Sequence, residues 1–176
     1  RTPMTRLQLN LEMLRDAPTP ARIDRAVADL ADMNKLISGY LELARTTQAE
    51  PKVRFDLAGV LEEAAADAGL PWPGAAPCEI EAGRLALGQI VSNLIQNAQR
   101  YGGGTPVELA LECTDKLARV IVRDAGAGIP EDQLEKVFRP FYRLETSRSQ
   151  ATGGTGLGLA IVRQLAETNG WKVLLA

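Results

Sequence analysis

The sequence predicts an α+β protein: an antiparallel helical hairpin followed by a two-layer sandwich, in which helices cover one face of a sheet. Three observations support this prediction. Apolar residues recur at spacings of three and four over the first 45 positions, as in paired helices. After residue 54, helical periods and strand-like alternation both occur. With 176 residues, the chain is long enough for one well-filled core and a smaller appendage.

The first 45 residues are predicted to form two helices. Residues 16–20, DAPTP, separate them, with Thr19 as a cap and Pro20 in the first turn of the second helix. The first helix has a short apolar stripe at Met4, Leu7, Leu11 and Leu14. The second has an uninterrupted heptad seam at Ile23, Ala26, Leu30, Met33, Ile37, Tyr40 and Ala44. Because narrow seams bury little apolar area alone, we expect a homodimer through residues 1–45, as a four-helix bundle. Packing of the hairpin on its own downstream domain is the alternative.

The rest of the chain alternates helical and strand-like segments. Residues 1–49 form the predicted hairpin domain, residues 50–54 a linker, and residues 55–176 a second domain. At the start of the second domain we expect a helix capped by Asp56 and ending at Ala68, followed by a loop over 69–77 and a helix over 84–101. Two strands should follow, over 107–113 and 117–124, and then a short helix over 130–138. The last predicted elements are a helix over 157–168 that ends at Gly170 and a strand that starts at Trp171.

The composition is that of an ordinary globular protein and excludes several kinds of chemistry. A net charge of -2 gives no indication of nucleic-acid binding, and we expect no such partner. No stretch approaches the ~20 apolar residues that a membrane crossing needs, and no signal peptide is visible. Because the chain has 0 histidines, imidazole acid–base catalysis, histidine-activated nucleophiles and histidine-containing zinc sites are excluded within it.

The chain contains two cysteines, Cys78 and Cys113, which match no metal-site spacing. We expect both to be free, small core residues. This expectation corresponds to a reducing, cytoplasmic setting.

Residues 153–162, GGTGLGLAIV, place four glycines in six positions before an apolar segment. Glycine lets a ligand approach the main chain closely. A Rossmann turn would need a preceding hydrophobic strand and an acidic residue about 20 positions later, whereas a P-loop would need Lys followed by Ser or Thr after its last glycine. The chain has neither pattern. A glycine-rich hinge that leads into a helix N-terminus, or a flexible turn, remains.

Two further segments have residues suited to nucleotide binding. In DAGAGIPED, residues 124–132, a strand ends on Asp124, whose carboxylate can accept a hydrogen bond from an exocyclic amine beside small glycines. An ordinary strand-to-helix turn is the alternative. In QIVSNLIQNAQRYG, residues 89–102, Asn93 and Asn97 lie four apart beside the apolar face of a helix. Amide oxygens suit Mg2+, although surface amides without a ligand are also compatible with this pattern.

In this order, the four segments QIVSNLIQNAQRYG, DAGAGI, FRPFYR (138–143) and GGTGLGLAIV resemble the N, G1, F and G2 boxes of sensor histidine kinases. The first residues, RTPMTRLQLNLEML, resemble the segment that comes after the phospho-acceptor in the EnvZ-like branch, whose motif runs His-Glu-x-x-Thr-Pro. The resemblance covers essentially the whole chain. It implies a Bergerat ATP-binding fold joined to a dimerisation and histidine-phosphotransfer hairpin, in the cytoplasmic portion of a bacterial inner-membrane sensor. Only segments outside this chain would contact the membrane.

The resemblance also implies roles for individual residues. Asn97 would ligate Mg2+, and Asn93 would help to order the site. Arg100 and Tyr101 would contact phosphate and nucleotide, and Thr2 would orient the water that dephosphorylates a cognate response regulator. Asp124 would hold the adenine amino group, flanked by Gly126, Gly128 and Ile129. The ATP lid and its base would comprise Phe138, Phe141, Arg143, Arg148, Gly154, Thr155, Gly156, Leu157 and Gly158.

The sequence departs from the family pattern at four places. The acceptor histidine would lie three residues before Arg1, residues 66–83 are shorter than the usual stretch, and the end at Ala176 lacks the final hairpin. Gly83 occupies a position where a polar or acidic residue is common.

The expected reaction is phosphoryl transfer from Mg-ATP to the upstream histidine, with a hinge near residues 50–54. Because Asn93 stands where the gyrase-like relatives have Glu, a fast ATPase is not expected. Two alternatives are a non-catalytic, dimerising scaffold that binds a response regulator, and an anti-sigma-type serine kinase on the same fold. The heptad hairpin with RTPMT argues against the second.

Overall fold

A computed structural model of the chain describes residues 3–46, 48–144 and 154–175. The chain divides into two compact units, Arg1–Glu42 and Leu43–Ala176. In chain order the elements are α1 (Pro3–Asp16), α2 (Pro20–Arg45), β1 (Val53–Asp56), α3 (Leu57–Asp67), β2 (Glu79–Ala82), α4 (Arg84–Tyr101), β3 (Glu108–Thr114), β4 (Leu117–Arg123) and α5 (Gly158–Asn169). Two 3-10 turns, Glu131–Gln133 and Lys136–Phe138, precede α5.

The first unit, the hairpin unit, consists of α1 and most of α2. Thr19 Oγ1 accepts a hydrogen bond from the amide of Arg22 at 3.4 Å, as expected of a cap. The guanidinium of Arg22 donates to the carbonyls of Met13 and Ala17 and thereby holds the turn between the helices. Farther along the pair, Asn10 Nδ2 donates to Asp29, which is 5% exposed.

The predicted heptad seam of α2 is mostly exposed. Ala26 is buried, whereas Ile23, Leu30 and Ile37 are 49%, 51% and 53% exposed, and Tyr40 is 59% exposed. Ile23, Leu30 and Ile37 follow one another at intervals of seven positions and therefore lie along one line of the helix. The hairpin unit thus exposes these three residues as a continuous apolar stripe.

The second unit, the nucleotide unit, has its own core. Two antiparallel ladders, β1–β2 and β3–β4, are joined to the helices by packed apolar side chains. One cluster brings α3, α4 and β3 together through Leu61, Ala65, Val91, Ile95 and Leu109. A second joins α4 to α5 through Ala86, Ile90, Leu157, Ile161, Val162, Leu165 and Ala166. The predicted mixed helix-and-sheet class is therefore confirmed.

Three details of the prediction are wrong within the described residues. The strands form two separate two-stranded ladders instead of one sheet. Residues 171–175 are not a strand, because they pair with no strand in the described part of the chain; Trp171 and Val173 pack on the α4–α5 cluster. Residues 130–138 form the two tighter turns, closed by bonds such as that from the amide of Leu134 to Glu131 O. Conversely, β1 lies partly in the predicted linker, and β2 lies in the short stretch before Gly83.

The expectation of free cysteines is also wrong. Cys78 and Cys113 form a disulfide with a Cα–Cα distance of 6.0 Å. Cys78 is buried against Leu57 and Val60, and side chains of the β3–β4 ladder pack on the same cluster, so Cys113 comes within reach. In the part of the chain that the structure describes, no helix is long and apolar enough to cross a membrane.

Candidate functional site

The candidate site is centred on the C-terminal half of α4. This helix forms because its apolar residues recur with helical period, and it ends at Gly102, whose amide donates to Ala98 O at 2.7 Å. Asn93 and Asn97 are half-buried on this half of the helix. Asn93 Nδ2 donates to Gln89 O at 3.0 Å, which orients its Oδ1 atom away from its own helix backbone.

The start of α5 lies beside Asn93. A Cβ atom built on Gly158 would be 3.2 Å from Asn93 Oδ1. At the other end of the pair, a Cβ atom on Gly83 would be 3.3 Å from Asn169 Oδ1, so α4 and α5 run antiparallel at close range. A side chain at Gly158 would require Asn93 to shift slightly.

The segment after β4 packs against the end of α4. Asp124 Oδ1 accepts a hydrogen bond from the amide of Gly126 at 2.9 Å, and the Asp124 side chain is exposed. A Cβ atom on Gly126 would be 2.3 Å from Tyr101 O, and one on Gly102 would be 3.1 Å from Asp124 Cβ. Only glycine permits this approach, which places the Asp124 carboxylate at the end of α4. Gly128 has φ +72°, and Ile129 is half-buried.

The glycine-rich segment lies against the same helix end. A Cβ atom on Gly154 would be 2.8 Å from Arg100 Nη1 and 3.2 Å from the Tyr101 hydroxyl. Arg143 Nη1 donates to Gly154 O at 3.1 Å. Two guanidinium groups thus converge on the main chain of Gly154, and they give this end of the site a positive charge.

The following residues fix the glycine segment to the core. The amide of Leu157 donates to Thr155 Oγ1 at 3.3 Å, and the Leu157 side chain is 1% exposed in the α4–α5 cluster. Gly156 O accepts from the amide of Phe141 at 2.9 Å. Gly156 has φ +71°, and a Cβ atom there would be 2.9 Å from Tyr142 O, so the position requires glycine.

The two phenylalanines expected at the base of the lid differ in environment. The Phe138 ring packs under Arg163 of α5, with the guanidinium carbon 5.5 Å from the ring centroid. Hydrogen bonds to Glu167 and Glu135 raise the pKa of Arg163 above its ordinary value. Phe141 is 53% exposed and has φ +64°, so only its main chain holds the glycine segment.

Two predicted site residues, Thr2 and Arg148, lie outside the described residues, as does Gly153 at the start of the glycine segment. Of the remaining predicted positions, Asp124, Gly126 and Gly154 lie against the C-terminal end of α4. Gly158 lies beside Asn93, and Phe138 lies beside Arg163 of α5.

Residues 82–175 match the family described as Histidine kinase-, DNA gyrase B-, and HSP90-like ATPase, which is more than half of the chain. The chain belongs to this ATPase family. Among curated relatives, it is 32% identical to the signal transduction histidine-protein kinase BaeS of Escherichia coli (strain K12), over 100% of this chain and 41% of BaeS. The chain therefore spans less than half the length of this relative.

Solved structures of histidine kinases have the same fold. The Acinetobacter baumannii histidine kinase AdeS is 22% identical, with a TM-score of 0.69 over 96% of this chain and 85% of that chain. Full-length ShkA in complex with AMPPNP is 24% identical, with a TM-score of 0.61 over 97% of this chain and 42% of ShkA. The resemblance to sensor histidine kinases is confirmed, and neither the scaffold nor the serine-kinase alternative is favoured.

The residues of this ATPase site suit a magnesium nucleotide. The Asp124 carboxylate is exposed, and the cationic side chains of Arg100 and Arg143 lie at Gly154. Across the described residues, no group of three or more acidic or cysteine side chains is placed to hold a metal. Amide oxygen, water and nucleotide phosphates form a ligand set that Mg2+ accepts, and Asn97 has such an amide oxygen.

Sequence reasoning missed one contact at the other end of α4. The carboxylate of Glu50 accepts hydrogen bonds from the amides of Leu85 and Ala86 at 3.2 and 2.9 Å. Glu50 precedes Leu85 by 35 positions, so no local pattern could pair them. The sequence indicates this contact only indirectly: Gly83 stands where a polar capping residue would be expected, so another residue must accept from the first amides of α4.

Proposed function

We propose that this chain is the cytoplasmic catalytic core of a sensor histidine kinase in a two-component system. It binds Mg-ATP and transfers the γ-phosphoryl group to a histidine just upstream of residue 1, for onward transfer to a response regulator. The observation that supports this most strongly is that Asp124 and the Arg100–Gly154 contact lie at the C-terminal end of α4, the helix that also contains Asn97.

The adenine end of the site is assigned to Asp124. Because one carboxylate oxygen accepts from the Gly126 amide, the carboxylate is oriented without using its whole acceptor capacity. An ionised carboxylate accepts hydrogen bonds only, which suits the exocyclic amine of adenine and disfavours a base with a carbonyl there. Gly126 lets this segment pack against Tyr101 O, Gly128, where an added Cβ would meet nothing within 4 Å, leaves room for a flat ring, and Ile129 would contribute apolar contact.

The phosphate end is assigned to Asn97, Arg100 and Arg143, with Arg148 as a further cation. When bound, Mg2+ neutralises charge on the phosphate oxygens, and Asn97 would hold it. Arg100 and Arg143 are already brought together at Gly154 and would bind phosphate oxygens. Phosphoryl transfer requires mainly positioning and charge neutralisation, so this set needs no general base of its own.

The Asn93 side chain favours transfer of the γ-phosphoryl group to another residue over hydrolysis of ATP. It is a neutral amide, which donates to Gln89 O and faces Gly158, so it cannot take a proton from an attacking water. The chain has 0 histidines to act in its place. The γ-phosphoryl group is therefore kept for an acceptor that approaches from outside the nucleotide unit.

We further propose that the protein is a homodimer through residues 1–45. The exposed stripe of Ile23, Leu30 and Ile37 supports a second hairpin as its partner, because a heptad-spaced apolar line fits an equivalent helix. The cognate response regulator is both substrate of phosphotransfer and target of dephosphorylation, with Thr2 orienting the hydrolytic water. The proposal includes a longer protein that is a bacterial inner-membrane sensor; the name of the curated relative, a signal transduction histidine-protein kinase, supports the signalling role.

The experiment is phosphorylation of the chain extended upstream through the expected histidine, with ATP labelled at the γ-phosphate. We expect a label that is labile in acid and stable in base, that requires Mg2+, and that disappears in Asn97→Ala. The matched control is Gln96→Ala on the exposed side of the same helix, which should retain the label. An acid-stable label, or none in the presence of Mg-ATP, would contradict the proposal.

A further inference from the structure

Helix α4, which contains the proposed magnesium and phosphate residues, begins without a cap of its own. Its N-cap position is Gly83, which has no side chain to accept a hydrogen bond, and its first turn contains no acidic residue. The free amides of a helix N-terminus normally require an acceptor, and a nearby negative charge stabilises them. The helix therefore depends on another segment at this end.

Glu50 supplies the missing cap. Its two carboxylate oxygens accept separately, Oε1 from the amide of Leu85 and Oε2 from the amide of Ala86. A Cβ atom on Gly83 would be 3.0 Å from Glu50 Oε2 and 3.3 Å from Glu50 Cβ. Capping by Glu50 thus favours glycine at position 83, because a side chain there would press against the Glu50 side chain.

The same segment is attached to the end of α5. Thr168 Oγ1 donates to Thr46 O at 3.0 Å, and Thr46 is 4% exposed. Leu43 packs on the apolar cluster between α4 and α5. Residues 43–46 and 48–50, the docking segment, therefore contact the first turn of α4 and the last turn of α5 together.

These contacts lie at the opposite end of the helix pair from the proposed ATP site. Because α4 and α5 are antiparallel, the start of α4 adjoins the end of α5, and Asn93 adjoins Gly158. At ~1.5 Å per residue, Asn93 and Asn97 lie about 12–18 Å along α4 from Leu85. The α4–α5 cluster runs between the two ends, from Leu43 to Leu157.

We propose that Glu50 is a positioning residue for the ATP site: it fastens the docking segment to α4 and so fixes α4 against α5. The inference rests on the proposed nucleotide-binding function. The helices pack closely at Asn93 and Gly158, where an added Cβ would be 3.2 Å from Asn93 Oδ1, so we expect a shift at their far end to change the geometry beside the proposed phosphate residues. By linkage, nucleotide binding in turn tightens the docking segment.

The test measures the affinity of the whole chain for Mg-ATP by calorimetry, together with hydrogen exchange at the amides of Leu85 and Ala86. We expect Glu50→Ala to weaken Mg-ATP binding about fivefold, a factor at the lower end of the range that is usual for coupling between two sites. Glu50→Gln retains one acceptor oxygen and should give an intermediate affinity. In the unaltered chain, Mg-ATP should slow exchange at Leu85 and Ala86, and this response should be lost in Glu50→Ala.

A second variant separates attachment of the docking segment from simple capping. Glu50→Ala combined with Gly83→Asp provides a local carboxylate to cap α4 but leaves the docking segment unattached. We expect the double variant to regain thermal stability while its affinity for Mg-ATP stays about fivefold weaker than that of the unaltered chain. Thr168→Val, which removes the donor to Thr46 O without changing side-chain shape, should weaken binding in the same direction.

The matched control is Glu63→Ala. Glu63 accepts two 2.7 Å hydrogen bonds from Arg84 Nη2 at the same end of α4, but it belongs to α3 and contacts no backbone amide of α4 in those bonds. Its removal should leave Mg-ATP affinity unchanged. This control tests whether any lost charge near the start of α4 has the same effect.

Two outcomes overturn the inference while the proposed function stands. In the first, Glu50→Ala binds Mg-ATP as tightly as the unaltered chain. In the second, the double variant with Gly83→Asp recovers full affinity, which would make Glu50 a cap and nothing more. Failure of the unaltered chain to bind Mg-ATP would instead refute the proposed function, and this inference with it.

Discussion

The two units of the molecule differ in where their apolar side chains lie. In the nucleotide unit, Leu61, Ile95 and Val162 are each 0% exposed. In the hairpin unit, Leu30 and Ile37 of the heptad stripe are 51% and 53% exposed. The nucleotide unit therefore buries its apolar side chains within itself, whereas the hairpin unit has an exposed apolar surface that a second chain would cover.

The difference originates in the width of the apolar pattern. Helix α4 buries residues in two clusters, one shared with α3 and β3 and the other with α5. A helix that is covered from two directions needs a broad apolar face. Helix α2 has a narrow heptad line, which suits one neighbour on each side and a partner helix of the same kind.

The largest expected effect comes from truncating the same residue type in each unit. Ile95→Ala should lower the free energy of unfolding of the nucleotide unit by about 2–5 kcal/mol, because it leaves a cavity in a closed core. Ile37→Ala should change that unfolding transition by less than about 0.5 kcal/mol, since the side chain is half exposed. Urea unfolding followed by tryptophan fluorescence measures this, because Trp72 and Trp171 pack on the two clusters of the nucleotide unit. Equal shifts for the two variants would refute the contrast.

The next effect comes from reducing the disulfide. Cys78 and Cys113 are 35 positions apart, and closing a loop of that length stabilises a domain by about 2–4 kcal/mol. Both cysteines belong to the nucleotide unit, so a phosphine reductant should lower the tryptophan-monitored urea midpoint. In Cys113→Ser, the reductant should have no further effect. An unchanged midpoint in the unaltered chain would contradict the cross-link.

The smallest of the three effects concerns association of the hairpins. Ile37→Glu places a charge on the exposed stripe and should weaken dimerisation at least about tenfold, or ~1.4 kcal/mol. Sedimentation equilibrium measures this, with Ser38→Glu, an adjacent exposed position off the stripe, as the matched control. A chain that stays monomeric at all concentrations, or equal weakening by both variants, would count against the proposed dimer.

Features encoded by neighbouring residues could be predicted from the sequence. The bounds of α4 follow from its helical period, Asp56 caps α3 through the amide of Ala58, and Gly170 ends α5 with φ +74°. Each depends on residues within one or two turns of each other. Local periodicity is the strongest signal in a single sequence.

Contacts between distant residues could not be predicted in this way. The Cys78–Cys113 pair and the Glu50–Leu85 contact each span 35 positions. The four-residue strands β1 and β2 are too short for alternation to identify. For the candidate site, the four boxes were found through a family resemblance, whereas the approach of Gly126 and Gly154 to the C-terminal end of α4 required the folded chain.

The central claim is that the α4 C-terminus and Asp124 bind an adenine nucleotide with magnesium. Calorimetric titration with Mg-ATP and Mg-ITP tests it most directly, because inosine has a carbonyl where adenine has its amine. We predict that the unaltered chain prefers ATP by at least about tenfold, and that Asp124→Asn, which keeps an acceptor for the Gly126 amide, loses this preference. Equal affinities for ATP and ITP in the unaltered chain, or no binding of either, would contradict the account.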